Sequence, residues 1–104
     1  MSKDKNLEQM IQEKGLNAPR LTPKLIDDKI VGEYFHIVPN TPMTLCVLTL
    51  QNGFVVTGDS TAVSIENFDK EIGRKVAREN ARDKIWSLEG YLLKEAVYRS
   101  MKDI

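Results

Sequence analysis

One hundred and four residues make one domain's worth of chain, enough to bury a modest core without metals or disulfides. Fifteen basic and fifteen acidic residues give a formal net charge of zero, so no global field draws the chain to nucleic acid or membrane, and little repulsion opposes self-association. Cys46 is the single cysteine, which excludes an internal disulfide and fits a reducing compartment. The start, Met1 to Lys5, has no signal-peptide core, and no run approaches the roughly 18 apolar residues of a membrane span. A soluble protein of the cytoplasm is the expectation.

Residues 1–21 read as an N-terminal arm, flexible or docked, and 22–104 as a single α+β domain. In the arm, Leu7, Met10 and Ile11 share one short helical face, Gly15 is placed to end that helix, and Ala18-Pro19-Arg20 reads as a linker. Thr22-Pro23 is a helix start, because threonine caps free N–H groups and proline suits the first helical position. That helix is expected over about Pro23 to Val31, with Leu25, Ile26, Ile30 and Val31 buried and Gly32 as its left-handed terminator.

Glu33 to Val38 is rich in β-formers, and Pro39-Asn40-Thr41-Pro42 then breaks the chain. Met43–Leu50 and Phe54–Val63 are the next two strands, joined at Asn52-Gly53, a strong signal for a two-residue type I′ turn. The expectation is a three-stranded antiparallel meander, preceded by a short helix and followed by a long, bent C-terminal helical segment. A two-residue turn sets Leu50 opposite Val55, Leu48 opposite Thr57 and Val47 opposite Gly58. One face then carries Cys46, Leu48, Leu50 and Val55, and the other Leu45, Val47, Phe54 and Val56. Neither is polar, so a helix is expected on one side and the N-terminal elements or a second subunit on the other.

From Phe68 onward the pattern is helical, with Asn67 as N-cap and Ser64 competing for that place. Phe68, Ile72, Val76, Asn80, Lys84, Leu88 and Leu92 recur at fours, with Gly73, Ala77, Ala81 and Ile85 beside them. Ser87 and Gly90 suggest a bend near Trp86-Ser87, or two helices meeting there. The small row Gly73–Ala77–Ala81 permits close backbone approach, either to the chain's own sheet or to a second subunit, in which case Val47 and Val56 would join the contact. Asn80, placed on an apolar stripe, either fixes packing, bonds the sheet edge or meets a ligand. Arg74, Arg78 and Arg82 stand four apart, suited to an anion such as phosphate, although Glu71, Glu79 and Asp83 interleave and a solvated ion-paired face is the simpler account. His36 has no neighbouring ligand residues for zinc, Cys46 reads as a buried inert thiol, and no phosphate loop or paired acid motif is present. No enzyme, metal or cofactor is expected.

The string Thr44-Leu45-Cys46-Val47-Leu48-Thr49-Leu50-Gln51-Asn52-Gly53-Phe54-Val55-Val56-Thr57-Gly58, then Glu66-Asn67-Phe68-Asp69, Glu71-Ile72-Gly73-Arg74-Lys75-Val76-Ala77-Arg78-Glu79-Asn80-Ala81-Arg82 and Lys84-Ile85-Trp86-Ser87-Leu88-Glu89-Gly90-Tyr91-Leu92, resembles one small family. It is the phage-protein family named after coliphage N-four gene product forty-nine and phage Sf-six gene sixty-six, and the resemblance covers roughly Leu21 to Leu93. It implies a phage or prophage origin and a host-cytoplasmic setting, and carries no function. Two departures stand out. Members often read Ser-Ala-Cys-Val where this chain has Thr61-Ala62-Val63 after Ser60, and Trp-Pro-Leu-Glu-Gly-Tyr where it has Ser87. The first weakens any thiol-based site, and the second favours the bend, because proline there would begin a new helix.

In size and layout the chain is also similar to Thoeris anti-defence sponges, which bind cyclic ADP-ribose-type signals. That similarity implies an aromatic for stacking, an amide for ribose or base and arginines for phosphate, for which Phe54, Asn67, Asn80, Arg74, Arg78 and Arg82 are the candidates. The two apolar sheet faces, the small-residue row and the zero net charge predict a homo-oligomer, a dimer or higher. The competing expectations are a protein–protein effector that binds a host factor through its apolar sheet face or arm, and nucleic-acid binding by the basic helix.

Overall fold

The computed structural model describes residues 2–15 and 19–102, so Ala18 of the expected linker and the terminal Asp103-Ile104 lie outside the described residues. The order is α1 (Ser2–Glu13), α2 (Pro23–Lys29), β1 (Ile30–Ile37), β2 (Met43–Leu50), β3 (Val55–Thr61), a 3-10 turn (Ile65–Asn67) and α3 (Lys70–Lys102). The sheet is the expected antiparallel meander, in the order β1-β2-β3. Two compact units divide the chain: residues 29–85, and residues 1–28 with 86–104.

In the second of these units, α1 ends before Gly15, whose φ of 64° terminates it as expected. Thr22 caps α2, its hydroxyl accepting from the Leu25 N–H at 3.2 Å. α2 is shorter than its sequence pattern predicts. The helix stops at Lys29, and Ile30, Val31 and Gly32 already belong to β1. Val31 is exposed, and Gly32 pairs with Thr49 in the ladder, so it ends no helix. The physical reason is the run Ile30-Val31, whose branched side chains favour extended backbone as soon as the neighbouring strand offers a ladder.

In residues 29–85 the sheet is built on β2, whose Thr44, Cys46, Leu48 and Leu50 are buried in strict alternation. Pro39 and Asn40 turn β1 into β2. Thr41 N–H donates to Val38 O at 3.2 Å, and Asn40 takes φ 63°. Proline then positive-φ asparagine is the pattern of a type II turn.

The β2–β3 turn differs from the two-residue expectation. Leu50 N–H donates to Phe54 O at 2.8 Å and Gly53 N–H to Leu50 O at 2.9 Å, so Gln51, Asn52 and Gly53 form a three-residue loop. Gly53 has φ 90°, whereas Asn52 is not left-handed. This is a type I turn closed by a glycine bulge, and the Asn52 side chain holds it by accepting from the Phe54 N–H at 3.0 Å. The register moves by one residue: Leu48 faces Val56 and Cys46 faces Gly58. Every β3 side chain therefore changes face. Val56 is 5% exposed and Val55 46%. The face away from the core mixes Tyr34, Leu45, Val47 and Val55 with Thr49, Thr57 and Asp59, and so is less apolar than the two-residue register implied.

α3 runs as one helix of 33 residues through Trp86 and Ser87. With serine rather than proline there, every N–H of the helix can be retained, which resolves the choice between one helix and two. Its cap is Asp69 and not Asn67: the carboxylate accepts from the Ile72 N–H at 3.0 Å. Asn67 ends the 3-10 turn just before it.

Candidate functional site

The first half of α3 lies on the inner face of the sheet, and its sequence decides which side faces in. Gly73, Ala77, Ala81 and Ile85 are buried. Ile72, Val76 and Leu88, on the stripe expected at fours, are exposed. Small residues line the inner side because the backbones nearly touch. A Cβ added to Gly58 would overlap Ala81 N and Ala77 O and stand 2.8 Å from Asn80 C. One added to Gly73 would stand 2.7 Å from the Thr44 hydroxyl. The row Gly73–Ala77–Ala81 is thus the helix's seat on its own sheet, and Val56 lies in the same core. These residues present no surface to a second subunit in this arrangement, and of the proposed contact set Val47 alone keeps partial exposure.

Asn80 donates from Nδ2 to the Asp59 carbonyl at 2.8 Å. The ladder explains why that oxygen is free. Phe54 bonds to Leu50 and Ala62 to Pro42, just before β2, so by alternation Val56, Gly58 and Ser60 bond to β2, and Asp59 points its carbonyl off the open edge of β3. Asn80 covers that edge, the sheet-edge option among its three.

The three arginines have different surroundings, since steps of four residues drift about 40° around a 3.6-residue helix. Arg74 is exposed and makes no ion pair among the described residues. Arg78 is half-buried and donates from Nε to Glu33 at 2.8 Å. Arg82 is 5% exposed and engaged within the chain. Phe54, at the hairpin loop, is 55% exposed. Asn67 is exposed at the other end of the layer, beside the start of α3. Gly73 touches Thr44 at the beginning of β2, and Phe54 bonds to Leu50 at its end. Six strand residues, about 20 Å, separate the two ends. The structure groups Arg74 and Asn67 at one end, seats Arg78 and Asn80 along the layer, and leaves Phe54 apart.

Cys46 and His36 do not form a nucleophile–base pair. Cys46 shares the inner face with Phe35, while His36 pairs with Leu45 on the outer face. Burial pushes the Cys46 thiol up, and the nearby Glu33 carboxylate adds to the shift. Among the described residues no cluster of three or more His, Cys, Asp or Glu side chains is placed to hold a metal, and no helix is long and apolar enough to cross a membrane.

Three residues of this region were not singled out from sequence. Gly58 had a signal, since a glycine inside a strand marks close backbone approach. Glu33, as partner of Arg78, and Thr44, whose buried hydroxyl has no hydrogen-bond partner, had none, because each depends on contacts distant in sequence.

No curated protein and no solved structure matches the chain. A family model does match over residues 21–97, from the residue before the Thr22 cap through the sheet and most of α3. Three quarters of the sequence, including every residue of the helix–sheet layer described above, thus places the chain in the Phage protein (N4 Gp49/phage Sf6 gene 66) family.

Proposed function

We propose that this phage-family protein is a non-enzymatic accessory factor, of phage or prophage origin, that acts in the host cytoplasm by binding and sequestering a small anionic nucleotide-type signal, and so counters host defence. The observation that carries the reading is Arg74, an exposed guanidinium with no ion-pair partner among the described residues, on a helix whose other arginines are already engaged. A guanidinium fork matches phosphate oxygens. Arg78 adds a second, its Nε bonded to Glu33 and its side chain still partly exposed. Phe54 supplies an exposed ring for stacking on a base. Because Phe54 and Arg74 stand about 20 Å apart along the sheet, one small ligand reaching both would lie between copies in a homo-oligomer. No cofactor or metal enters this reading.

The test is thermal unfolding with a panel of cyclic nucleotides and cyclic ADP-ribose isomers. A ligand at 100 times its Kd stabilises by about 2.7 kcal/mol, which moves Tm by roughly 10–20 °C for a domain of this size. The ligand should be recovered chemically unchanged after denaturation, and Arg74→Ala should remove the shift. No stabilisation by any member sinks the proposal.

A second reading rests on Tyr34 and Val55, exposed on the sheet face away from the core beside half-buried Leu45 and Val47. Here the partner is a host protein seated on that face. Capture of a defined host protein by the wild type and not by Tyr34→Asp would favour it. Nucleic-acid binding by α3 is the weakest reading, because Glu71, Glu79 and Asp83 interrupt the basic row.

A further inference from the structure

We infer that the open edge of β1 is a pairing surface for β1 of a second copy of this chain, the two strands running antiparallel about Phe35. Val38 N–H donates to Met43 O at 3.0 Å. By alternation His36, Tyr34 and Gly32 are the other β1 residues bonded to β2. Glu33, Phe35 and Ile37 therefore aim their N–H and C=O groups off the sheet, and none makes a backbone bond outside the ladder among the described residues. The two edges of the sheet are treated unequally, since Asn80 occupies the carbonyl of Asp59 on the β3 side. Usual guards against edge pairing are lysine, proline, a bulge or an inward-pointing charge, and the one charge on the inner face of β1, Glu33, is neutralised by Arg78 of its own chain. β1 has no lysine or proline, and its one irregularity, between Ile30 and Gly32, leaves the segment from Gly32 to Ile37 regular.

The occupant follows from self-complementarity. A two-fold axis at Phe35 sets Glu33 opposite Ile37 of the other copy and Tyr34 opposite its His36, which forms about six backbone hydrogen bonds. No like charges meet. The strand's one acid opposes an isoleucine and keeps its own Arg78. Half-buried Phe35 and Ile37 already lie on the inner face, so the apolar layer continues across the junction into a six-stranded sheet. A zero net charge leaves the approach unopposed.

The experiment uses the full chain without ligand: a monomer would remove Phe54 from the nucleotide site but leave phosphate binding at Arg74 and Arg78 to the thermal-shift test, and failure of that test leaves the strand pairing standing. Sedimentation is measured from micromolar to submillimolar protein, with amide exchange at Glu33, Phe35 and Ile37. A dimer is expected, with those amides slowing as concentration rises. Tyr34 and His36 are exposed in the single chain and can be changed without disturbing its core. Tyr34→Lys with His36→Lys sets lysine against lysine twice and should weaken the dimer by roughly tenfold. Tyr34→Glu with His36→Lys sets opposite charges together and should restore it. A monomer throughout overturns the proposal, as does a dimer that ignores both variants or leaves the three amides unchanged.

Discussion

Gly58 is the residue on which helix and sheet meet most tightly. Its missing side chain leaves room for Ala77 O and Ala81 N, and the atoms that would be struck are backbone, which cannot swing aside. Gly58→Ala should therefore cost about 3 kcal/mol, the upper part of the overpacking range, read as a fall in the urea midpoint. Gly73 is a subtler case. Helix propensity alone favours alanine there by about 1 kcal/mol, yet the new Cβ would press on the Thr44 hydroxyl, which is buried and unpaired. Gly73→Ala should destabilise the wild type and become neutral or favourable beside Thr44→Ala, and a double-mutant cycle in urea measures that coupling. The arginines separate in the same way. Arg74→Ala should shift stability by less than about 0.5 kcal/mol. Arg82→Ala removes a buried, engaged charge and should cost about 2 kcal/mol or more. Loss of ligand binding in the first therefore reports a contact, whereas in the second it would report unfolding.

At the scale of elements, caps and turns make the comparison between sequence and structure concrete. Thr22-Pro23 was legible because a cap and a first-turn proline act over four residues of local chain. The start of α3 was not legible, because Asn67 and Asp69 are both good cap residues and the 3-10 turn that ends at Asn67 has no sequence period of its own. Asp69→Ala should cost about 1 kcal/mol, and Asn67→Ala should leave the stability of α3 unchanged; helix loss on urea titration distinguishes them. The meander was legible from runs of β-formers between breakers. Its register was not, since Asn52-Gly53 suits both a two-residue and a three-residue loop, and local preference does not see the partner strand. At the glycine bulge, Gly53→Ala should cost about 1–2 kcal/mol, because a Cβ is strained at φ 90°.

For the whole molecule, Cys46 is a built-in reporter of opening. It is fully buried, and its thiol is held above its ordinary value of 9.0 by burial first and Glu33 second. A raised folded pKa means that the unfolded chain loses this proton first. The contribution is therefore complete below pH 9.0 and is lost as pH rises from there through the folded value. Stability should fall on the alkaline side of 9.0, and Cys46→Ala should flatten that part of the profile. Thiol labelling at neutral pH should proceed only as fast as the core opens. At this scale the family was legible from the hairpin–helix string alone. The candidate site was less so: spacing by fours put three arginines on one helical row, but a row does not say which member meets Glu33, which is buried and which is left to solvent.

The three-residue turn has one last consequence, which concerns parity. Val55 and Val56 are interchangeable by hydrophobicity, so the pair does not tell β3 which way to face. The residues after them do. Only one phase puts the strand's single side-chain-free position beneath α3, and the opposite phase would set Asp59 opposite Cys46 and turn its side chain into the helix backbone. Gly58 thus works as a keyed slot that rejects a hairpin folded one residue out of step. Removing Gln51 would shorten the loop to the two residues its Asn52-Gly53 pair also accepts while leaving Leu50 opposite Phe54, so the hairpin would keep its phase and its fit to the helix; closing the intact chain on two residues would lose both.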